Sequence, residues 1–397
     1  MSYMTDERRM IQQTARDFAM NEVLPVANKL DPEEGDIPMD LRAKMGKLGF
    51  FGITIPEQYG GQGLGVFEYV LVTEELARAW MSVASLIARG NGLGGGFTEA
   101  QRREYLPKMA RGEFLGAAAL SEPDAGSDLA NVSCRATRDG DGWVINGTKT
   151  WCTFADGANF ISLLARTKQP SDPHRRHEGI SQFLVLKEPG KFPPGLTGAP
   201  IRKIGYFGWK TWELHFDDFR LPGDALLGRE RQGAAEGRAF YSTASGLAVA
   251  RVHTAARAVG LARGGLEDAL VYSHRRVQFG HPIADFQAIR FKLADMATQV
   301  EAARQLSYFV ADAIDERRSP DVAMHASMAK LFATEMAEHV TSEALQIHGG
   351  YGYTKDLPIE RYWRDARLTK IFEGTSEIQM RIISDGLLGR GGRSDER

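Results

Sequence analysis

The chain has 397 residues, 43% of them apolar, enough for two or three packed domains of about 150 residues each. Forty-nine basic side chains face 51 acidic ones, a net charge of -2 that gives no electrostatic footprint for phosphate backbones or anionic lipid, so nucleic acid is not an expected partner. Two cysteines, Cys134 and Cys152, cannot form a framework of several disulfides, and packing thiols in a reducing compartment are expected.

The first residues mix acidic and basic side chains where a secretion signal needs an apolar core, and no apolar run reaches the roughly 20 residues of a membrane helix. A soluble protein without membrane association is the expectation. From Thr5 to Asp31, Ile11, Ala15, Phe18, Ala19 and Leu24 recur at helical spacing behind a Thr5 cap and an acidic first turn. Helical segments continue to about Arg111. Among them Gly90, Gly92 and Gly95 satisfy G-x-G-x-x-G, but no strand precedes them and no strand–helix alternation surrounds them, so a loop is expected ahead of a dinucleotide site.

Near residue 114 the pattern turns to short strands: FLGAAAL, NVSCRATRDGDGWVING, ANFISLLART, SQFLVLKE and TWELHFDDFRL, separated by Gly, Asp and Pro signals. The turn DGDG (139–142) marks a hairpin whose two glycines tolerate positive φ. Two longer polar loops, TKQPSDPHRRHEG and EPGKFPPGLTGAP, interrupt an antiparallel domain. After Gly233 helical stripes return, one through Phe286, Ile289, Leu293, Met296, Val300, Ala303 and Val310, another through Val322, Ala326, Ala329, Ala333, Met336 and Val340, as in a bundle. The pattern predicts an α+β chain with a helical N-terminal domain (1–113), a central β domain (114–232), a C-terminal bundle (233–389) and a disordered tail (390–397).

Four stretches gather chemistry. ALSEPDAGSD (119–128) sets hydroxyls and backbone N–H groups at a strand end, suited to an anionic or carbonyl-rich ligand, or is an ordinary Asp-Gly loop. In GTKTWCTFADGAN (147–159), Trp151 and Thr153 share one side of a strand; they suit a flat aromatic cofactor, or Trp151 is a core residue. HRRVQFGHPIADFQ spaces Arg276, Phe279, Gly280 and Gln287 across a helix break, and LQIHGGYGY lets a ligand approach the backbone, unless both merely punctuate helices. In IFEGTSEIQ (371–379), Ser376 to Gln379 has capping-box spacing, which leaves Glu373 unexplained.

Taken together and in order, these stretches resemble the acyl-CoA dehydrogenase family from about Thr5 to Gly389: SEPDAGSD and QIHGGYGYTKDLPIERYWRD match its two signatures, with KTWCT, KIGYFGWKTWELHFDDFRLP, RRVQFGHPIADFQ and IFEGTSEIQ between and beyond them. The resemblance implies a central β-barrel, a C-terminal four-helix bundle and bound FAD, with no metal. Ser121, Trp151 and Thr153 would meet the flavin, with Thr375 and Glu377 further cofactor contacts. Ser127 would touch phosphate or the acyl-CoA. Arg276, Phe286, Gln287, Gln346 and Gly350 would hold the pyrophosphate and adenosine end, largely from a neighbouring subunit of a homotetramer.

Glu373 matches the family's base, taking the proton next to the thioester carbonyl while a hydride leaves the next carbon for the flavin. Confinement against Phe372 and the flavin would strengthen it as a base. Gly374 lets the chain pass close to the acyl group. The alternative base position in some relatives is Ala250 here, and Arg251 beside it would organise the substrate cavity. The implied reaction forms a trans-2-enoyl-CoA and passes electrons to electron transfer flavoprotein, in bacterial cytoplasm or, in a processed eukaryotic protein, the mitochondrial matrix. An oxygen-using acyl-CoA oxidase and a non-catalytic acyl-CoA or flavin binder are the alternatives. Departures from the pattern are Phe207 and Trp209, which put CoA contacts at that edge in question, Phe154 in place of a common Asn, and the Gly92–Gly96 run, which suggests a wide pocket for a branched or cyclic acyl group.

Overall fold

The computed structural model describes residues 3–172, 174–228, 236–237, 239–317 and 321–389, with backbone alone for 240–245. The expected tail at 390–397 and the expected boundary at Gly233 lie outside these residues.

Thr5 caps α1 (Asp6–Phe18) by accepting the Arg8 N–H at 3.2 Å. A π-helical turn, Ala19–Val23, follows, then α2 (Leu24–Leu30). Pro25 has no N–H for a regular i→i−4 ladder, which accounts for the interruption there. Next come α3 (Met39–Lys47), α4 (Val66–Ala79), α5 (Met81–Leu86), α6 (Ala88–Asn91) and α7 (Glu99–Ala110). The G-x-G-x-x-G match therefore begins inside α6, with helix rather than strand before it. The loop expected there is confirmed only from Gly92 onward, and no βαβ unit surrounds it.

The middle of the chain forms one sheet of seven strands: β1 (Gly116–Ala119), β2 (Arg135–Asp139), β3 (Gly142–Thr153), β4 (Phe160–Arg166), β5 (Ile180–Leu186), β6 (Leu196–Ile201) and β7 (Thr211–Leu221). Their order is β1-β4-β2-β3-β7-β6, with β5 also on β4. Most pairings are antiparallel, but β1 lies parallel to β4 and Arg135 pairs parallel with Arg166, so the expected antiparallel sheet is mixed. The barrel is realised as a curled sheet around Trp143, Ile145, Phe183, Leu214 and Phe216. Strand β6 falls in a stretch expected to be loop; its Gly and Pro content hid it, and it is tolerated because β6 is an edge strand. In the DGDG turn only Gly140 uses positive φ, at 56°. Gly142 is needed instead because a Cβ there would stand 2.7 Å from the Leu221 carbonyl oxygen.

Helices resume with α8 (Ala239–Arg275), α9 (Gln287–Asp315) and α10 (Val322–His348), followed by α11 (Ile359–Thr369) and α12 (Ser376–Leu387). A two-strand hairpin, β8 (Val277–Gln278) and β9 (His281–Pro282), fills the break between α8 and α9. Every residue of α4 is buried, including four that carry charge. Arg263 of α8 bonds Glu74 and Glu75, Arg304 of α9 bonds Glu74, and Arg78 bonds Glu267 and Asp268 of α8. Pairing offsets the cost of burying these charges, and the pairs fix α4 into the same core as the C-terminal helices.

Candidate active site

Beyond β1, the loop carrying Ser121 is tied to β3 from beneath. Glu122 and Lys149, 5% and 0% exposed, form a buried ion pair at 2.8 Å. The Glu122 carboxylate also accepts from the Ser133 N–H (2.7 Å), the Ser133 hydroxyl (2.8 Å) and the Cys134 N–H (2.9 Å). Burial opposes the charge on Glu122, but Lys149 and the two N–H groups outweigh it and hold the carboxyl below its ordinary value. Lys149 Nζ donates further to the Leu120 carbonyl at 2.8 Å, and the Thr150 N–H donates to the Ser121 carbonyl at 2.9 Å. Ser121 and Trp151 are thus brought together by two residues that the sequence reading passed over. Their signal is an acid and a lysine at inward positions, flanked by apolar strand.

Strand β3 advances three residues against two on β7 between Lys149 and Cys152, and Trp151 sits in this bulge at φ 60°. The bulge leaves its indole 62% exposed while Cys152 stays buried. Trp151 is therefore no core residue of the chain. A large aromatic face left uncovered at a strand end, with half-buried Thr153 on the same side, fits a flat ring stacked there. The Thr153 and Thr211 hydroxyls lie 3.0 Å apart. Ser127 is exposed on the adjoining loop. Burial pushes the Cys134 and Cys152 thiols up to about 11 and about 12, so both act as packing groups, as expected.

Glu373 lies between α11 and α12 in a segment held rigidly from one side. Glu373 and Gly374 both have positive φ, 54° and 90°, and a Cβ on Gly374 would stand 2.6 Å from Gln379 Nε2. Thr375, not Ser376, caps α12, and buried Gln379 donates back to the carbonyls of Gly374 (2.8 Å) and Glu373 (3.3 Å), replacing the expected capping box. Lys330 of α10, fully buried, donates to the same Gly374 carbonyl at 2.7 Å. Burial pushes the Lys330 ammonium down to about 8, although nearby Glu373 raises it. The Glu373 side chain itself is exposed, so the confinement expected for it is not provided by the chain alone. Its backbone N–H donates none of the described hydrogen bonds. Glu377, on the first turn of α12, is exposed.

An aromatic series joins the end of β3 to this loop: Phe154 to Trp209 (6.0 Å between centroids), Trp209 to Tyr206 (5.2 Å) and Tyr206 to Phe372 (6.0 Å). Phe154 thereby acquires a role as the first member of that series. Phe207 is buried under the Arg364 guanidinium at 4.8 Å, and Trp209 is buried as well, so these two departures from the family pattern are packing residues. In the glycine run, Cβ atoms on Gly94 and Gly96 would meet Leu106 and Leu227 at 2.9 and 3.0 Å. Those glycines permit close packing rather than widening a cavity. Arg251 of α8 is buried, with Nε unpartnered; burial lowers its pKa while the charge of Glu373 raises it.

The remaining expected cofactor residues gather elsewhere. Arg276 lies 5.9 Å over the Tyr351 ring, and Phe286 packs edge-on to Phe279 at 6.0 Å. Gln287, Gln346 and Gly350 are exposed, and a Cβ on Gly350 would meet nothing within 4 Å. No described hydrogen bond, ion pair or ring contact connects this group to Trp151, Thr153 or Glu373. Two clefts of about 620 and 840 Å³ open elsewhere, lined by none of these three. No acidic, histidine or cysteine cluster able to hold a metal exists among the described residues.

Models of the N-terminal, middle and C-terminal domains of acyl-CoA dehydrogenases match residues 5–113, 117–219 and 237–388. The chain is 41% identical over 393 residues to a Bacillus subtilis protein named acyl-CoA dehydrogenase, covering 98% of this chain and 99% of that one. It superimposes on butyryl-CoA dehydrogenase from Megasphaera elsdenii with a TM-score of 0.88 at 35% identity, covering 97% and 99%. A chain solved in work on the electron transferring flavoprotein of Acidaminococcus fermentans and flavin-based electron bifurcation gives 0.89 at 36% identity, covering 97% and 98%.

Proposed function

The chain belongs to the acyl-CoA dehydrogenase family, an FAD-dependent family of oxidoreductases, and from that premise we propose that it forms a trans-2-enoyl-CoA with Glu373 as the base. The reading rests on one observation. Glu373 is presented outward on a left-handed segment pinned from behind by Lys330 and Gln379, with its own backbone N–H uncommitted. Bound FAD supplies the hydride acceptor. The Glu373 carboxylate takes the proton from the carbon next to the thioester, and its N–H is available to the thioester oxygen as negative charge develops there. Ala250 has no group to accept a proton, which leaves Glu373 in that role. Arg251, whose pKa the Glu373 charge raises, would stabilise the carboxylate between turnovers.

Trp151, Thr153 and Ser121 would hold the flavin ring, with Thr375 and Glu377 beside it and Ser127 on a phosphate or the acyl-CoA. Gly374 gives the acyl group room. Arg276, Phe286, Gln287, Gln346 and Gly350 would reach the pyrophosphate and adenosine of a neighbouring subunit's FAD. The exposure of Arg276, Gln287, Gln346 and Gly350, beside a hairpin tip where Phe279 is 90% exposed, supports a homotetramer in which each site is completed across an interface. The same reading places domain boundaries at 113/114 and 232/233 and makes electron transfer flavoprotein the acceptor. Acyl-CoA catabolism in bacterial cytoplasm, or in a mitochondrial matrix, would suit the two unpaired buried thiols. No helix among the described residues is long and apolar enough to cross a membrane.

The test is Glu373→Gln. It should keep the yellow colour of bound FAD and lose flavin reduction by acyl-CoA under anaerobic conditions, by about 10²- to 10⁴-fold for the loss of a positioned general base. Reduction within threefold of wild type would remove Glu373 from the mechanism.

A further inference from the structure

Behind Phe372 lies a group of cations that the proton and hydride steps leave without a task. Arg257, on the face of α8 turned toward α5, is 3% exposed, and its guanidinium carbon stands 4.5 Å over the Phe372 ring. It donates to the hydroxyls of Ser85 at 2.8 Å and Thr254 at 2.7 Å. Arg89, from α6, lies 5.2 Å over the Trp209 ring. The Nε atoms of both are buried and without a partner, and no carboxylate among the described residues lies within 4 Å of either guanidinium. Tyr69 and Tyr206 face the same space. Tyr206 packs edge-on against both Trp209 (5.2 Å) and Phe372 (6.0 Å), the rings under Arg89 and Arg257, and burial raises both phenols. His253, stacked on Tyr69 at 4.8 Å, is driven well below its usual range by burial and by Arg257, and contributes no charge at neutral pH.

Two guanidiniums over rings of one aromatic series, with buried Nε atoms and no carboxylate partner, are costly unless an anion joins them. Elsewhere, buried Arg78, Arg263 and Arg364 have acidic partners, while Arg166 and Arg361 spend their donors on backbone carbonyls and Asn28. The surroundings of a hydrocarbon tail are apolar side chains, whereas these residues present guanidinium and phenol groups. The phosphates of CoA and FAD belong to the distant ends of both molecules, away from the carbons that Glu373 must reach. We infer that the acyl group of the substrate carries a second carboxylate, bound by Arg257 and Arg89 with Tyr206 or Tyr69 as a further donor, so that the substrate is the CoA thioester of a short dicarboxylic acid. This rests on Glu373 being the base of a dehydrogenase. The α-proton goes to Glu373 and the β-hydride to the flavin, and the distal carboxylate keeps all its bonds.

The test compares anaerobic flavin bleaching of the holoprotein by methylsuccinyl-CoA and glutaryl-CoA with that by butyryl-CoA, isovaleryl-CoA and the monomethyl ester of glutaryl-CoA. At least one diacid thioester should reduce the flavin with a second-order rate constant 10²-fold or more above every uncharged one, because a site built for a polar group strongly rejects analogues that lack it. Arg257→Met should bring that ratio to within about tenfold of unity, and Arg89→Gln supplies the same reading if Arg257→Met does not fold. Uncharged thioesters that match or exceed the diacids would overturn the inference and leave the dehydrogenase standing. Bleaching by none of the five would overturn the proposed function itself. A wild-type preference for diacids that survives both substitutions would overturn the assignment to these arginines.

Discussion

Lys149→Met is the most informative perturbation of the architecture around Trp151. The substitution removes one of four hydrogen-bond partners of a Glu122 carboxylate that is almost fully buried, leaving the Ser133 N–H and hydroxyl and the Cys134 N–H in place. Removing one member of a buried pair typically costs about 3–5 kcal/mol, because the other charge remains dehydrated and unopposed. The three surviving donors argue for the lower end, about 3 kcal/mol. The sign with pH follows from the depressed carboxyl: the stabilisation from Glu122 is present above the unfolded pKa of roughly 4.5 and is lost as pH falls through the lower folded value. In Lys149→Met that acid-side loss should shrink. Since the Lys149 ammonium also holds the Leu120 carbonyl, the loop carrying Ser121 should separate from Trp151, and FAD retention should fall at least tenfold. Urea unfolding of the apoprotein at pH 7 and at about 3.5, either side of the unfolded carboxyl value, measures the first effect; titration of apoprotein with FAD measures the second. The double variant Glu122→Gln/Lys149→Met should recover at least about 1 kcal/mol relative to the sum of the single variants, because it no longer buries a lone charge. A loss below about 1 kcal/mol in Lys149→Met, with wild-type FAD affinity, would refute the reasoning.

Two further outcomes concern a buried acid and an exposed ring. Asp365 is fully buried, with Oδ1 accepting the Tyr206 N–H at 2.7 Å and Oδ2 without a partner; burial lifts its carboxyl to about 7, against the pull of Arg364. A raised carboxyl makes folding most favourable at low pH and progressively less so between about 4 and 7, so Asp365→Asn should flatten the melting-temperature profile there by the slope of one proton; parallel profiles would show that Asp365 is ionised throughout. Phe279→Asp, at the hairpin tip, should reduce the sedimentation coefficient of the holoprotein and release FAD, whereas an unchanged assembly would place the interface elsewhere.

Much of the architecture was legible because burial imposes periodicity. Thr5, the stripe through Met296, Val300 and Ala303, and the largely apolar run of β4 each record a local relation between sequence spacing and a buried face. Strand β6 was not legible, since Gly198 and Pro200 carry loop statistics and only pairing with β7 makes them strand. Nor was the buried charge of α4, where Glu74 and Glu75 look like a solvated face until Arg263 and Arg304, almost 200 residues or more away, are placed against them.

The same division holds at the site. The order of residues along the chain determined that SEPDAGSD, KTWCT and IFEGTSEIQ belong to one family, because short motifs keep the chemistry that local backbone geometry demands, such as a glycine after Glu373 where φ is positive. What the tertiary structure alone decided is what surrounds them: that Lys149 fixes the loop of Ser121, that Lys330 and Gln379 pin the segment of Glu373, and that Arg257 over Phe372 and Arg89 over Trp209 have no described carboxylate within 4 Å. Electrostatic energy depends on distance and burial, and neither is a function of sequence separation.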